Sequence, residues 1–116
     1  MDSKLENYRS IIINVLQKYA DMPYTNPNPE NELEEQLLID TKHDHYQILN
    51  IGWDGTQRVY YPIFHIDIKN GKVWVQEDAS DSDLVGKLEE QGIDKADIVL
   101  AFQAPYNRPF TDYAVA

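Results

Sequence analysis

Cysteine is absent from the chain. Disulfides, thiolate-ligated metals or clusters, and cysteine nucleophiles are thereby excluded. Basic charge is scarce: ten Lys and Arg stand against twenty Asp and Glu, a net charge of −10. An autonomous DNA binder carries a basic stripe, because phosphate neutralisation supplies most of its affinity. No window here concentrates Lys and Arg, and the long-range field repels a polyanion. Direct nucleic-acid binding is therefore disfavoured, and a protein partner fits better. No apolar run is long enough to span a bilayer, and the start, "MDSKLENYRS", has neither the basic segment nor the apolar core of a secretory signal. The expected location is the cytoplasm, with no membrane attachment. A G-x-S-x-G elbow, a phosphate-binding glycine loop and a dinucleotide fingerprint are also missing. The residues make no positive case for an enzyme, and no cofactor is assigned.

What is present suits one domain over residues 1–116: 42% of the residues are hydrophobic, with eight Tyr and two Trp. Leu5, Tyr8, Ile12, Val15 and Tyr19 recur at spacings of three and four, which predicts a helix over residues 2–19. It must end near Asp21, because Met22 precedes Pro23 and is pushed from the α region. "DMPYTNPNPENELEE" reads as a loop whose acidic run is solvated. "EQLLID", "YQILNIGW" and "QRVYYPIFHIDI" then read as strands. Asp54-Gly55 is expected to form a type I′ turn, and Pro62 to mark a bulge or an edge. "SDSDLVGKLEEQG" predicts a short helix capped by Ser80, Asp81 or Ser82 and closed by Gly92, and "DIVLAF" a buried strand. The ending Tyr113-Ala114-Val115-Ala116 is apolar and suggests docking, within the chain or onto another. The fold class is α+β: a single domain with a mostly antiparallel sheet of about four to five strands, an N-terminal helix and a second short helix.

"FHIDIKNGKVWVQED" is the most legible stretch. Asn70-Gly71 is a type I′ signal, and it sets Lys69 against Lys72, Ile68 against Val73, Asp67 against Trp74, Ile66 against Val75 and His65 against Gln76. One face then carries Ile66, Ile68, Val73 and Val75. The other carries His65, Asp67, Lys69, Lys72, Trp74 and Gln76, which raises the question of what covers Trp74.

His43, Asp44 and His45 with His65 and Asp67 hold enough imidazole and carboxylate for a metal, but strand spacing alone is weak evidence. Turn-edge histidines hydrogen-bonded to carboxylates account for them, and no metal is assigned. Glu77, Asp78 and Asp81 read as helix-entry caps and solvated charge. Trp53 and Trp74, with the scarce cations Arg58 and Arg108, are residue types that interface centres favour. They tilt the reading towards a binding module.

"DHYQILNIGW", "HIDIKNGKVWVQED", "ADIVLAF" and an ending with Pro105, Arg108, Thr111 and "YAVA" resemble the XisI family, small cyanobacterial proteins named fdxN element excision controlling factors. The resemblance runs from about Tyr8 to Ala116, with Ala79-Ser80 where the family has a glycine-containing turn. It implies a controlling factor in excision of a DNA element during heterocyst development, binding a XisH-like, nuclease-related partner and self-associating. Trp53, Arg58, His65, Asp67, Trp74 and Arg108 are the expected partner-binding residues, and Trp74→Ala or Arg108→Ala is expected to weaken the complex with the fold intact. Two rival readings are a DNA-binding directionality factor, motivated by the family name, and a metal-dependent hydrolase using His65 and Asp67.

Overall fold

A computed structural model describes residues 3–22, 31–80 and 82–116. Its first element, α1 (Ser3–Ala20), buries Tyr8, Ile11, Ile12, Val15 and Leu16, the stripe that the three-and-four spacing lays along one side. Five strands follow: β1 (Glu32–Asp40), β2 (His45–Asp54), β3 (Gln57–Lys69), β4 (Lys72–Asp78) and β5 (Ile98–Leu100). They form one sheet in chain order, antiparallel except for the parallel β4–β5 pair. The parallel pair needs a crossover, and α2 (Leu84–Gln91) supplies it. The α+β class and the single domain with two helices are as expected.

Several local expectations needed correction. Glu32 to Glu35 are not loop but the first half of β1, paired with Trp53 to Asn50. An edge strand half open to water tolerates acidic residues that an interior strand would not. The β2–β3 turn is Gly55-Thr56, with Asp54 opposite Gln57, and only Gly55 of the turn has positive φ. Asn31 holds that turn by accepting from the Gly55 N–H at 3.2 Å and donating to Asp54 at 3.0 Å. The cap of α2 is Asp83, which accepts from the Gly86 N–H, because the helix starts later than Ser80 or Ser82 would place it. Asp81 lies outside the described residues, as do 23–30 of the expected loop. Finally, His65 faces Glu77, not Gln76, because a bulge interrupts the ladder between His65 and Ile66.

Of the expected strand "DIVLAF" only Ile98–Leu100 is strand, and Phe102 is exposed in the turn that follows. Asn70 and Gly71 both have positive φ, as a type I′ turn requires, and the four nearest β3–β4 pairs are those expected. Pro62 sits at the bulge between Ile48 and Leu49, which lets a residue with no N–H occupy an interior strand. Gly92 closes α2 in the left-handed region. Gly52 has φ 150°, and a side chain there would run into the Glu32 carbonyl on β1, so only glycine lets the two strands approach.

The helices cover one sheet face. Tyr46, Ile48, Phe64, Ile66, Ile68, Val73, Val75 and Ile98 pack there against the α1 stripe and against Leu84 and Leu88 of α2. A side chain of this size, fully buried, contributes roughly 1.5–3 kcal/mol. No helix among the described residues is long and apolar enough to cross a membrane.

A polar clamp fixes α1 on the sheet. Arg9 donates from Nε and Nη2 to the two Asp44 carboxylate oxygens at 2.7 and 3.0 Å, and the buried Tyr46 hydroxyl donates to Asp44 Oδ1 at 2.7 Å. These bonds, the guanidinium's first, hold the Asp44 carboxyl below its ordinary range. A carboxylate with a lowered folded pKa adds stability that is complete above its unfolded value and is lost as pH falls through the folded value. Wild-type stability should therefore drop below about pH 4. Asp44→Asn should be less stable at neutral pH and lose less on acidification. Denaturant melts at several acidic pH values test this, and parallel curves for the two proteins would refute it.

Candidate functional site

Residues paired across antiparallel strands share a face. The sheet face away from the helices therefore carries His45, Gln47, Leu49, Ile51 and Trp53 on β2, with Arg58, Tyr60, His65, Asp67 and Lys69 on β3. Trp74 and Gln76 continue it on β4, and Leu38 on β1. The polar set expected on one side of the β3–β4 hairpin does lie together there.

The six residues expected at an interface fall into three pairs on this face. At the hairpin end of β2 and β3, the Arg58 guanidinium lies 5.5 Å from the centre of the Trp53 ring and donates to the Gly52 carbonyl. Trp53 is 45% exposed and the neighbouring Tyr60 63%. At the middle, Asp67 Oδ1 is 2.9 Å from His65 Nε2 and 2.8 Å from His45 Nδ1. Gln76 donates to the other carboxylate oxygen at 3.3 Å. The Asp67 hydrogen bond raises the pKa of His45 above its ordinary value, since it favours the charged imidazole. A shallow groove along β1 and β2 opens onto this trio, with Leu38 and Gln47 in its wall.

The third pair answers what covers Trp74. The indole is 7% exposed. Lys69 lies 4.1 Å from its ring centre, Arg108 lies 5.5 Å from it, and the indole N–H donates to the Lys69 carbonyl. Arg108 belongs to the C-terminal segment, which folds back over β4 and β5. Its guanidinium donates to the carbonyls of Gln103 and Ala101, and Ala114 pairs with Val99 on the outer edge of β5. The apolar ending docks within the chain.

Of the residues weighed for a metal, three converge: His45, His65 and Asp67. His43 instead pairs with Asp40 at 2.9 Å, and Asp44 belongs to the clamp on α1. Glu77 and Asp78, expected as helix-entry caps and solvated charge, are instead half-buried strand residues at the end of β4, where burial pushes the Asp78 carboxyl up. The sequence reading weighed His45 among the metal-ligand candidates and left it out of the partner-binding set. Its only signal was the strand register, since His45 meets Asp67 across 22 residues of chain. Tyr60 and Leu38, both exposed on the same face, were missed for the same reason.

The architecture defines a small α+β domain whose helices cover one sheet face, while the other bears a carboxylate between two histidines and an open aromatic–arginine end. The chain belongs to the XisI family: the family model described as XisI protein matches residues 1–115. Two solved structures from Anabaena variabilis are similar. One is a XisI-like protein with 39% identity and a TM-score of 0.87, and the alignment covers 97% of this chain and 99% of that one. The other is fdxN element excision controlling factor XisI, with 37% identity, a TM-score of 0.84 and the same coverage. No curated protein matched.

Proposed function

We propose that this chain is a controlling factor in the excision of a DNA element, acting without catalysis of its own by binding a XisH-like, nuclease-related protein. Membership of the family and likeness to a protein titled fdxN element excision controlling factor support the excision-related role. A net charge of −10 supports a protein target over direct contact with DNA. The observation that carries the binding reading is the open end of the sheet face, where Trp53, Arg58 and Tyr60 stand together and exposed. Aromatic rings and arginine are enriched at interface centres, and Trp and Tyr bury large areas at little cost in side-chain entropy. Self-association has a separate support: β1 is a sheet edge, with Leu38 and Ile39 exposed on its two sides.

Light scattering on a sizing column, for the chain alone and co-expressed with a XisH-like protein, tests the reading. The expected result is a stable complex. Trp53→Ala and Arg58→Ala should each weaken it by about 2 kcal/mol, roughly thirty-fold in Kd, with unchanged circular dichroism. Elution of the isolated protein alone, whatever its oligomeric state, would remove the partner reading.

A further inference from the structure

The trio of His45, His65 and Asp67 carries an inference beyond partner binding. We propose that these three side chains form a divalent transition-metal site, ligated by His45 Nδ1, His65 Nε2 and Asp67 Oδ1, with Zn2+ or Co2+ as the fitting ions.

The geometry is the first support. The three donor atoms all lie within 4.8 Å of one another, with the carboxylate oxygen 2.8 and 2.9 Å from the two nitrogens. Ligands about 2.1 Å from a tetrahedral ion stand roughly 3.4 Å apart, so small side-chain shifts let an ion replace the hydrogens between them. The strands set this spacing: His45 and Asp67 are directly paired, and His65 lies two residues from Asp67 on the same face.

The second support is the surroundings. Gln76 donates to Asp67 Oδ2 and leaves Oδ1 turned towards the histidines, the kind of outer contact that orients a metal-ligating carboxylate. Asp40, opposite His45 on β1, adds negative charge on the same face, and the chain as a whole draws cations. Lys69 lies next to Asp67 on this face but is engaged over the Trp74 ring.

The donor set chooses among ions. Two imidazoles and one carboxylate suit Zn2+, Co2+ or Fe2+ over Mg2+ or Ca2+, which take oxygen ligands. With three protein ligands on a solvent-facing sheet, the remaining coordination position is open. His45 is 54% exposed at its side chain, so a water or a donor from a second molecule reaches the ion.

Titration of the full chain with CoCl2 near neutral pH, followed by visible absorption and calorimetry, tests this. The expected result is one Co2+ per chain with the intense bands of a low-symmetry site, displaced by Zn2+. His65→Gln and His45→Gln should each weaken binding by about a hundred-fold, and Gln76→Leu by about ten-fold, at unchanged circular dichroism. No saturable binding by the wild-type chain would overturn the assignment. So would stoichiometric binding that survives in the His45→Gln/His65→Gln double variant, since the ion would then sit elsewhere. Neither result bears on the partner complex, which is measured separately.

Discussion

Phe64→Ala is expected to destabilise the fold by about 3–5 kcal/mol, lowering the melting midpoint by roughly 15 °C. Phe64 is 1% exposed and lies where β3 leaves its bulge, on the helix-covered side. Its ring meets Tyr19 of α1 edge-on, with 4.8 Å between centroids and 80° between planes. Leu84 of α2 and Val15 of α1 lie beside it around a groove of about 250 Å³ between the two helices. Among the described residues, Phe64 is the sheet residue that lines this groove. Removing it would not leave a sealed cavity that the helices could close over. The hole joins the groove, so the dispersion contacts are lost and water enters the seam. Guanidinium unfolding of wild type and variant tests this, and a cost below about 1.5 kcal/mol would show that the helices re-pack without the ring.

The contrast between Phe64 and the rest of the core shows what was legible in the sequence. The α1 stripe, the Asn70-Gly71 register and the alternation of Ile66, Ile68, Val73 and Val75 were all readable, because each depends on residues close in the chain. The β3–β4 register was correct until the bulge at His65, which no local signal announces. Pro62 did announce its bulge, since a residue without an N–H cannot stay in an interior ladder. The β2–β3 turn shifted by one residue because a contact from Asn31, distant in the chain, holds Asp54 in the strand.

The candidate site was legible in parts for the same reason. That His65, Asp67, Trp74 and Gln76 share a face follows from strand alternation and one turn. That His45 completes the trio depends on β2 pairing with β3 across a hairpin whose bulge had to be placed first. Trp53 and Arg58 were named separately, and their stacking follows from the Gly55-Thr56 turn setting them opposite. The residues after Leu100 have no apolar period, so their path over Trp74 could not be read from them. It is set by where Arg108 finds carbonyls and a ring.

That path changes what Trp74→Ala should do. On the sequence the indole read as an interface residue whose loss would spare the fold. In the structure it is the anchor of the C-terminal segment, with Lys69 and Arg108 both against its ring and its N–H hydrogen-bonded to the Lys69 carbonyl. The variant should lose about 3–5 kcal/mol, as for other large aromatic truncations at buried positions. It should also release the tail. Arg108 would keep its bonds to Gln103 and Ala101 but lose the face it lies against, and the segment leading to Ala114 would lose its footing on the sheet. The Ala114 amide, which donates to the Ile98 carbonyl at 2.8 Å, reports this directly by hydrogen exchange. In wild type it should exchange slowly, in Trp74→Ala at close to the rate of a free chain, while the Tyr46 and Ile66 amides of the central strands stay protected. Equal protection of Ala114 in both proteins would mean that the β5 edge holds the tail without the indole. Loss of protection confined to the tail would instead separate two roles on one face. Trp74 and Arg108 would then serve the fold, and a partner would meet the face at its open end, at Trp53, Arg58 and Tyr60.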